Sequence, residues 1–207
     1  EKGIQWIIRH QRHDGGWLHC PLEGALDMAA LVMLRRSGGK GIERESDLGT
    51  QSCVRATASC LAALLEHRRA SGEKAGNVAI VRAAEFFLNR RLFMQDERFE
   101  GPICCGRRGV EYRLFGYPVM SHYDALFGLK LVAMAGYAGD PRAGAAFNLV
   151  ISAQGNNGAW KMESYGEGML YESGKNARTD ADAFATLSAL EVLKYCGIDE
   201  WKNAVLV

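Results

Sequence analysis

Two short stretches hold the residues best suited to chemistry. "TDADAF" (179–184) carries Asp180 and Asp182, two carboxylates two residues apart, with Phe184 just beyond. His122, Tyr123 and Asp124 form a second polar cluster, with Phe127 three residues further on. A carboxylic acid with raised acidity-constant, or a histidine, can move a proton in general acid–base work. Both clusters also have an architectural reading. Asp at a helix start accepts a backbone N–H and offsets the N-terminal dipole, so Thr179 or Asp180 is expected to cap a helix and Asp124 to complement another.

Other chemistries have weaker support. His10, His13, His19 and Cys20 cluster near one turn, but their spacing fits no standard zinc site, and they read as surface-loop residues. There is no G-x-S-x-G and no Cys/His pair of the kind that hydrolases use. "GGKG" lacks the strand and spacing of a phosphate loop. Arg107, Arg108 and Arg113 share a loop with Tyr112 and Phe115, and a run of this kind reads first as solvated surface. The vicinal pair Cys104-Cys105 reads as a loop feature, and Cys53 and Cys60, one heptad apart, as buried small apolar residues. No metal and no cofactor are expected.

Composition narrows the class. The 207 residues are 48% hydrophobic and 24% charged, with a net charge of +1, which fits one globular domain spanning residues 1–207. So small a net charge gives no field that would gather nucleic acid or an anionic membrane, and no nucleic-acid partner is expected. No apolar run approaches the ~20 residues of a transmembrane helix. Six cysteines without a Cys-x-x-Cys pair suit a reduced, cytoplasmic protein. Glu1 opens in the middle of a helical pattern with no initiator Met, so an N-terminal portion is expected to be missing.

The elements that position these residues are helices. Apolar residues recur at helical spacing over Gly3–Gln11, Leu22–Arg36, Cys53–Arg69 and Val78–Phe93. Ser121–Ala135 is apolar almost all round, interrupted by Lys130, which predicts a central helix. Asp140-Pro141 opens a helix to Ala153 that should bury Ala143, Ala146, Phe147, Val150 and Ile151. A last long helix should bury Phe184, Leu187, Leu190 and Leu193, with another begun at Ile198. Gly- and Pro-containing loops over Gln95–Pro118 and Met162–Arg178 separate these helices, and no strand is expected.

Two polar turns punctuate the series. "QRHDGGW" (11–17) and "QGNNGAW" (154–160) share Gln, then Asp or Asn, Gly, and a terminal Trp, set by Gln11, Asp14, Trp17 and Gln154, Asn157, Trp160. Gln can satisfy helix-end carbonyls or reach the next unit, Asp-Gly or Asn-Gly turns the chain at positive φ, and Trp buries a ring while keeping an N–H donor. The expected role is to staple one helical hairpin to its neighbour. The motifs lie 143 residues apart, room for about three units of ~40–50 residues. The intermediate unit ends near "RRLFMQDERF" with no Gly-Trp turn.

Q-x-x-D-G-x-W closing an outer helix resembles the QW repeat of the terpenoid cyclases and protein prenyltransferases. "HYDALFGLKLVAMAGYAGDPRAGAAFNLVISAQGNNGAW" and "DAFATLSALEVLK" look like the small bacterial squalene-cyclase-like branch. The resemblance covers nearly the whole chain and implies an all-α, α/α toroid-like array of helical hairpins. With about four hairpins, the chain would be a partial or open toroid. Its exposed inner surface would call for a homo-oligomer or a missing segment.

The same resemblance implies function classes. A cyclase protonates an alkene from an Asp-x-Asp-Asp motif and steadies carbocations on aromatic faces. Here Asp180 and Asp182 lack the third Asp. A zinc prenyltransferase pairs Asp-x-Cys with a later His; His122 is suitably placed, but no Asp-x-Cys exists. The expectation is therefore a cyclase- or prenyltransferase-like protein that binds an isoprenoid or other apolar ligand. His122, Tyr123, Asp124, Phe127 and Phe184 would line the cavity, and Asp180 and Asp182 would be the acids if it is active. The alternative is a non-catalytic helical-repeat scaffold whose concave face binds a protein or small molecule.

Overall fold

A computed structural model describes residues 1–18, 52–72, 76–94, 111–117, 123–165 and 177–198. Among them the chain is mostly helical, with six α-helices: α1 Lys2–Arg9, α2 Val54–Ser71, α3 Asn77–Leu88, α4 Ala125–Val132, α5 Gly144–Ser152 and α6 Ala177–Tyr195. The expected helix over Leu22–Arg36, the helix expected to run on beyond Ile198, the pair Cys104-Cys105, Arg107, Arg108, His19 and Cys20 lie outside the described residues.

α4 sits at the centre because its sequence gives it no polar face. Ala125, Leu126, Gly128, Leu129, Leu131 and Val132 are all buried. It packs against α2, α3, α5 and α6, while α1 packs on α2 and α3 also on α2. Its start is later than the periodicity predicts: Tyr123 and Asp124 precede the helix, with Asp124 extended as its N-cap. Past Val132 the helix widens into a π turn over Ala133–Tyr137, broken by Gly136 at φ 100°. The helix expected from Asp140-Pro141 opens as a 3-10 turn over Pro141–Ala143, capped by Asp140 accepting from the Arg142 amide at 2.9 Å, and continues into α5.

Three positions expected to be buried are exposed: Ile151 on α5, at the edge of a face whose Ala143, Ala146 and Val150 are buried as expected, and Phe184 and Leu187 on α6. On α6 Leu193 is buried as expected, and the stripe beside it is Ala185, Ala189 and Val192. Small residues let α6 lie close to α4, and the larger ones beside them are left at the edge. The expected all-α character holds, with one short extended contact beside the helices. Gly116–Tyr117 (β1) and Ser164–Tyr165 (β2) form a two-residue parallel pair, Gly116 opposite Ser164. α6 starts at Ala177, so Thr179 and Asp180 lie inside it rather than capping it.

The two Trp turns are built alike. Each Trp is buried and donates Nε1–H 2.7 Å to a carbonyl ten residues earlier, Trp17 to Ile7 and Trp160 to Val150. Each Trp amide donates 3.0 Å to a threonine hydroxyl on the following layer, Thr57 on α2 and Thr186 on α6. Each Gln donates to the turn's own glycine, Gln11 to Gly15 and Gln154 to Gly158, and these glycines have φ 88° and 77°. Gln11 also reaches Ala79 of α3 at 2.8 Å. Asp14 holds Ser52 through its amide and hydroxyl, whereas Asn157 bonds within its own turn at Ala159.

The intermediate unit ends differently. Arg91 and Leu92 take positive φ, 45° and 68°, without being glycine. Such a conformation costs an L-residue about 1–2 kcal/mol. Burial of Leu92 and a 2.5 Å bond from the Tyr123 hydroxyl to its carbonyl hold it there.

Candidate functional site

A cavity of about 210 Å³ lies between α4 and the middle of α6, with the segment Phe115–Gly116 along one side. α4 contributes Asp124, Leu126, Phe127 and Lys130; α6 contributes Phe184, Ala185 and Ser188. Residues three or four apart share a helix face, so one face of each helix forms one wall. Three phenylalanines, Leu126 and Ala185 make the lining largely apolar, with Asp124, Lys130 and Ser188 as its polar groups.

The Phe115–Gly116 wall is held from both helices. Asp124 accepts from the Phe127 amide at 2.7 Å, capping α4, and from the Gly116 amide at 2.8 Å. Asp182 accepts from the Met162 amide at 2.8 Å. The residues after Met162 carry the tie onward: the Glu163 and Ser164 amides donate to the Phe115 carbonyl at 2.8 and 2.9 Å, and Glu163 Oε2 accepts from the Phe115 amide. Asp124 and Asp182 thus suspend the wall from α4 and α6.

Asp124, Phe127 and Phe184 are brought together around this cavity. Tyr123 is not part of its lining. It lies in the core, stacked on Phe87 at 5.3 Å and edge-on to Tyr112 at 5.2 Å. Burial, reinforced by the charge of Asp124, pushes its hydroxyl well above the usual tyrosine range, so it stays a protonated donor to Leu92. Asp182 also stays out of the lining, its carboxylate engaged with Met162. Asp180 lies in α6, but its side chain is outside the described residues, as is all of His122.

Lys130, Ser188, Leu126 and Phe115 line the cavity without having been singled out for it. Lys130 follows Phe127 by three residues and Ser188 follows Phe184 by four, so helical spacing alone places them on the same faces. Phe115 had no such signal, because its position depends on the β1–β2 pairing. Lys130 also forms an ion pair with Glu191 of α6.

A second, shallower recess of about 340 Å³ is bordered by His13, Asp14, Gly15, Val81, Arg82, Glu85 and Asn89. Asp14, Arg82, Glu85 and Asn89 are engaged by neighbouring residues. Arg142 donates to Glu85, Asn89 and Asp140 at 2.7–3.0 Å, which holds Asp140 below and Arg142 above their usual ranges. Arg82 donates to the Arg12 carbonyl and Asp14 holds Ser52. The recess reads as a structural junction between α3, α5 and the first Trp turn. His10 stacks on Trp6, and no group of three or more metal-ligating side chains occurs among the described residues. No helix among them is long and apolar enough to cross a membrane.

The wall-holding role of Asp182 has a direct test. Asp182→Ala strands the buried Met162 amide and should cost about 1–3 kcal/mol in urea denaturation. Asp182→Asn keeps an acceptor oxygen and should recover most of that loss. Equal losses for Ala and Asn would mean that charge, not the bond to Met162, is what the position requires.

Comparison with protein-family models, with curated proteins and with solved structures gives no significant match to this chain.

Proposed function

We propose that this chain is an α/α toroid-like helical-hairpin protein, related in architecture to the terpenoid cyclases and prenyltransferases, that binds an isoprenoid or other small apolar ligand. The observation that carries the reading is the cavity walled by Phe115, Leu126, Phe127, Phe184 and Ala185. An apolar recess with a few polar groups at its margin is the usual form of a small-molecule site. At about 210 Å³ it lies below the ~300–1,000 Å³ of drug-sized sites, so it suits a small ligand or one end of a longer chain. The paired Trp turns support the architecture. Asp182 serves the wall rather than a substrate, so the proposal is for binding, with no catalytic step assigned.

Titration with limonene, a ten-carbon isoprenoid hydrocarbon, should shift amide resonances on α4 and the middle of α6, around the cavity-lining residues. Ala185→Leu places a larger side chain in the cavity and should lower the affinity at least about tenfold while the fold persists, since a core methylene insertion typically costs only about 1–3 kcal/mol. Shifts spread over the surface, or unchanged binding in Ala185→Leu, would remove the cavity from consideration. The second reading, a non-catalytic scaffold for a protein partner, draws on the exposure of Phe184 and Leu187, 47% and 54%, beside the cavity. It would be favoured if Leu187→Ser, outside the cavity lining, left limonene binding intact while abolishing a protein complex.

A further inference from the structure

The cavity has one polar corner, and its chemistry specifies the ligand more closely than "apolar". Ser188 lines the cavity and its hydroxyl makes no hydrogen bond with any described residue. A helical serine can donate back to the carbonyl four residues earlier, here Phe184, and the half-buried Ser188 does not. Glu191 lies one turn further along α6, on the same side as Ser188. It pairs with Lys130, which itself lines the cavity from α4. Ser188, Lys130 and Glu191 therefore meet at one end.

The donor inventory of this corner exceeds its acceptors. The Lys130 ammonium has three N–H donors and gives one to Glu191. Ser188 adds an O–H. At the other end, both Asp124 oxygens accept backbone amides, from Phe127 and Gly116. A ligand oxygen at the Lys130–Ser188 corner would accept from both side chains while the rest of the molecule lies against the phenylalanines. Charge selects among such oxygens. Glu191 already neutralises Lys130, so a ligand carboxylate would sit beside a second carboxylate or have to displace it. A neutral carbonyl needs neither.

We propose that the Ser188–Lys130 corner reads a neutral carbonyl oxygen, so that the cavity's ligand is a small apolar ketone, aldehyde or ester rather than a hydrocarbon or an acid. This rests on the apolar-cavity reading above and adds a polar specificity to it. Burying a carbonyl without a partner is unfavourable, so the corner would favour ligands that bring one acceptor and reject those that bring a charge.

Three probes of similar shape separate the possibilities: isopropylbenzene, acetophenone and benzoate, each titrated by amide chemical shift against the full chain and Ser188→Ala. Alanine is a better helix former than serine, so the variant should fold. Acetophenone should lose about fivefold in affinity in Ser188→Ala, the equivalent of one neutral hydrogen bond, while isopropylbenzene changes by less than about twofold. Benzoate should bind the wild-type chain more weakly than acetophenone. Acetophenone binding that is indifferent to Ser188→Ala, with isopropylbenzene still bound, would overturn the carbonyl reading and leave the apolar cavity standing. Benzoate binding more tightly than acetophenone would also overturn it, in favour of an anion-reading corner. Failure of isopropylbenzene and acetophenone alike to bind the wild-type chain would overturn both the cavity reading and this one.

Discussion

Trp160→Ala is expected to lower the free energy of unfolding by about 3–5 kcal/mol, the range for a large aromatic removed from a packed interior. Trp160 has 0% exposure, and it joins three elements at once. Its indole N–H ties to Val150 at the end of α5, its amide to Thr186 on α6, and its carbonyl accepts from the same threonine hydroxyl at 3.2 Å. The truncation opens a cavity and also leaves the Val150 carbonyl without its donor. Trp160→Phe separates the two effects, because it keeps most of the ring and loses only the N–H; it should cost about 1–3 kcal/mol. Urea denaturation with an unchanged slope would show that folded-state stability, rather than denatured-state compactness, has moved. Trp17→Ala should act more locally. α1, which Trp17 holds through Ile7, contains no fully buried residue, so its loss should appear first as faster amide exchange over residues 2–9. A cost below about 1.5 kcal/mol for Trp160→Ala would mean that the turn is not coupled to the core.

The Trp turns were legible in the sequence because their geometry is local. Gln11 to Gly15 and Gln154 to Gly158 are bonds within one turn, and Asp-Gly or Asn-Gly announces the positive φ that the chain adopts there. The apolar surround of α4 was equally plain, since a helix with no polar face has to be central. What failed was the orientation of peripheral helices. Phe184 and Leu187 fall on a helical stripe with Leu190, yet the side of α6 turned to α4 is the small-residue stripe of Ala185, Ala189 and Val192. Periodicity counts hydrophobic residues and does not weigh how closely two backbones can approach. The site was half legible for the same reason. Asp124, Phe127 and Phe184 could be picked out as chemistry near helix starts. Phe115 could not, because only the β1–β2 pairing brings a loop residue to the cavity. Asp182 looked like an acid because sequence shows the carboxylate and not the Met162 amide that occupies it.

Gly128→Ala is expected to cost about 3 kcal/mol, of which about 1–3 is overpacking and about 1 a lost hydrogen bond. A Cβ at this position would stand 2.2 Å from the Tyr123 hydroxyl oxygen and 2.9 Å from the ring carbon that bears it. The ring has nowhere to move, being stacked on Phe87, edge-on to Tyr112 and bonded to the Leu92 carbonyl. Four residues after its carboxylate, α6 carries Thr186, which receives the Trp160 amide; four residues after Asp124, α4 carries Gly128. The unit that lacks a Gly-Trp turn therefore lacks the threonine as well. Tyr123 takes over the task, folding across Gly128 to tie the end of α3 to the start of α4. The two residues are therefore expected to be coupled. Tyr123→Phe alone should cost about 1–3 kcal/mol by stranding the Leu92 carbonyl. The double variant should cost less than the sum of the singles by at least about 1 kcal/mol, because removing the hydroxyl also removes the closest clash. Strict additivity would show that Gly128 is required for backbone reasons and not for Tyr123. Because Asp124 and Phe127 occupy the same turn of α4, Gly128→Ala should also weaken limonene binding, whereas Tyr123→Phe, which leaves that turn in place, should not.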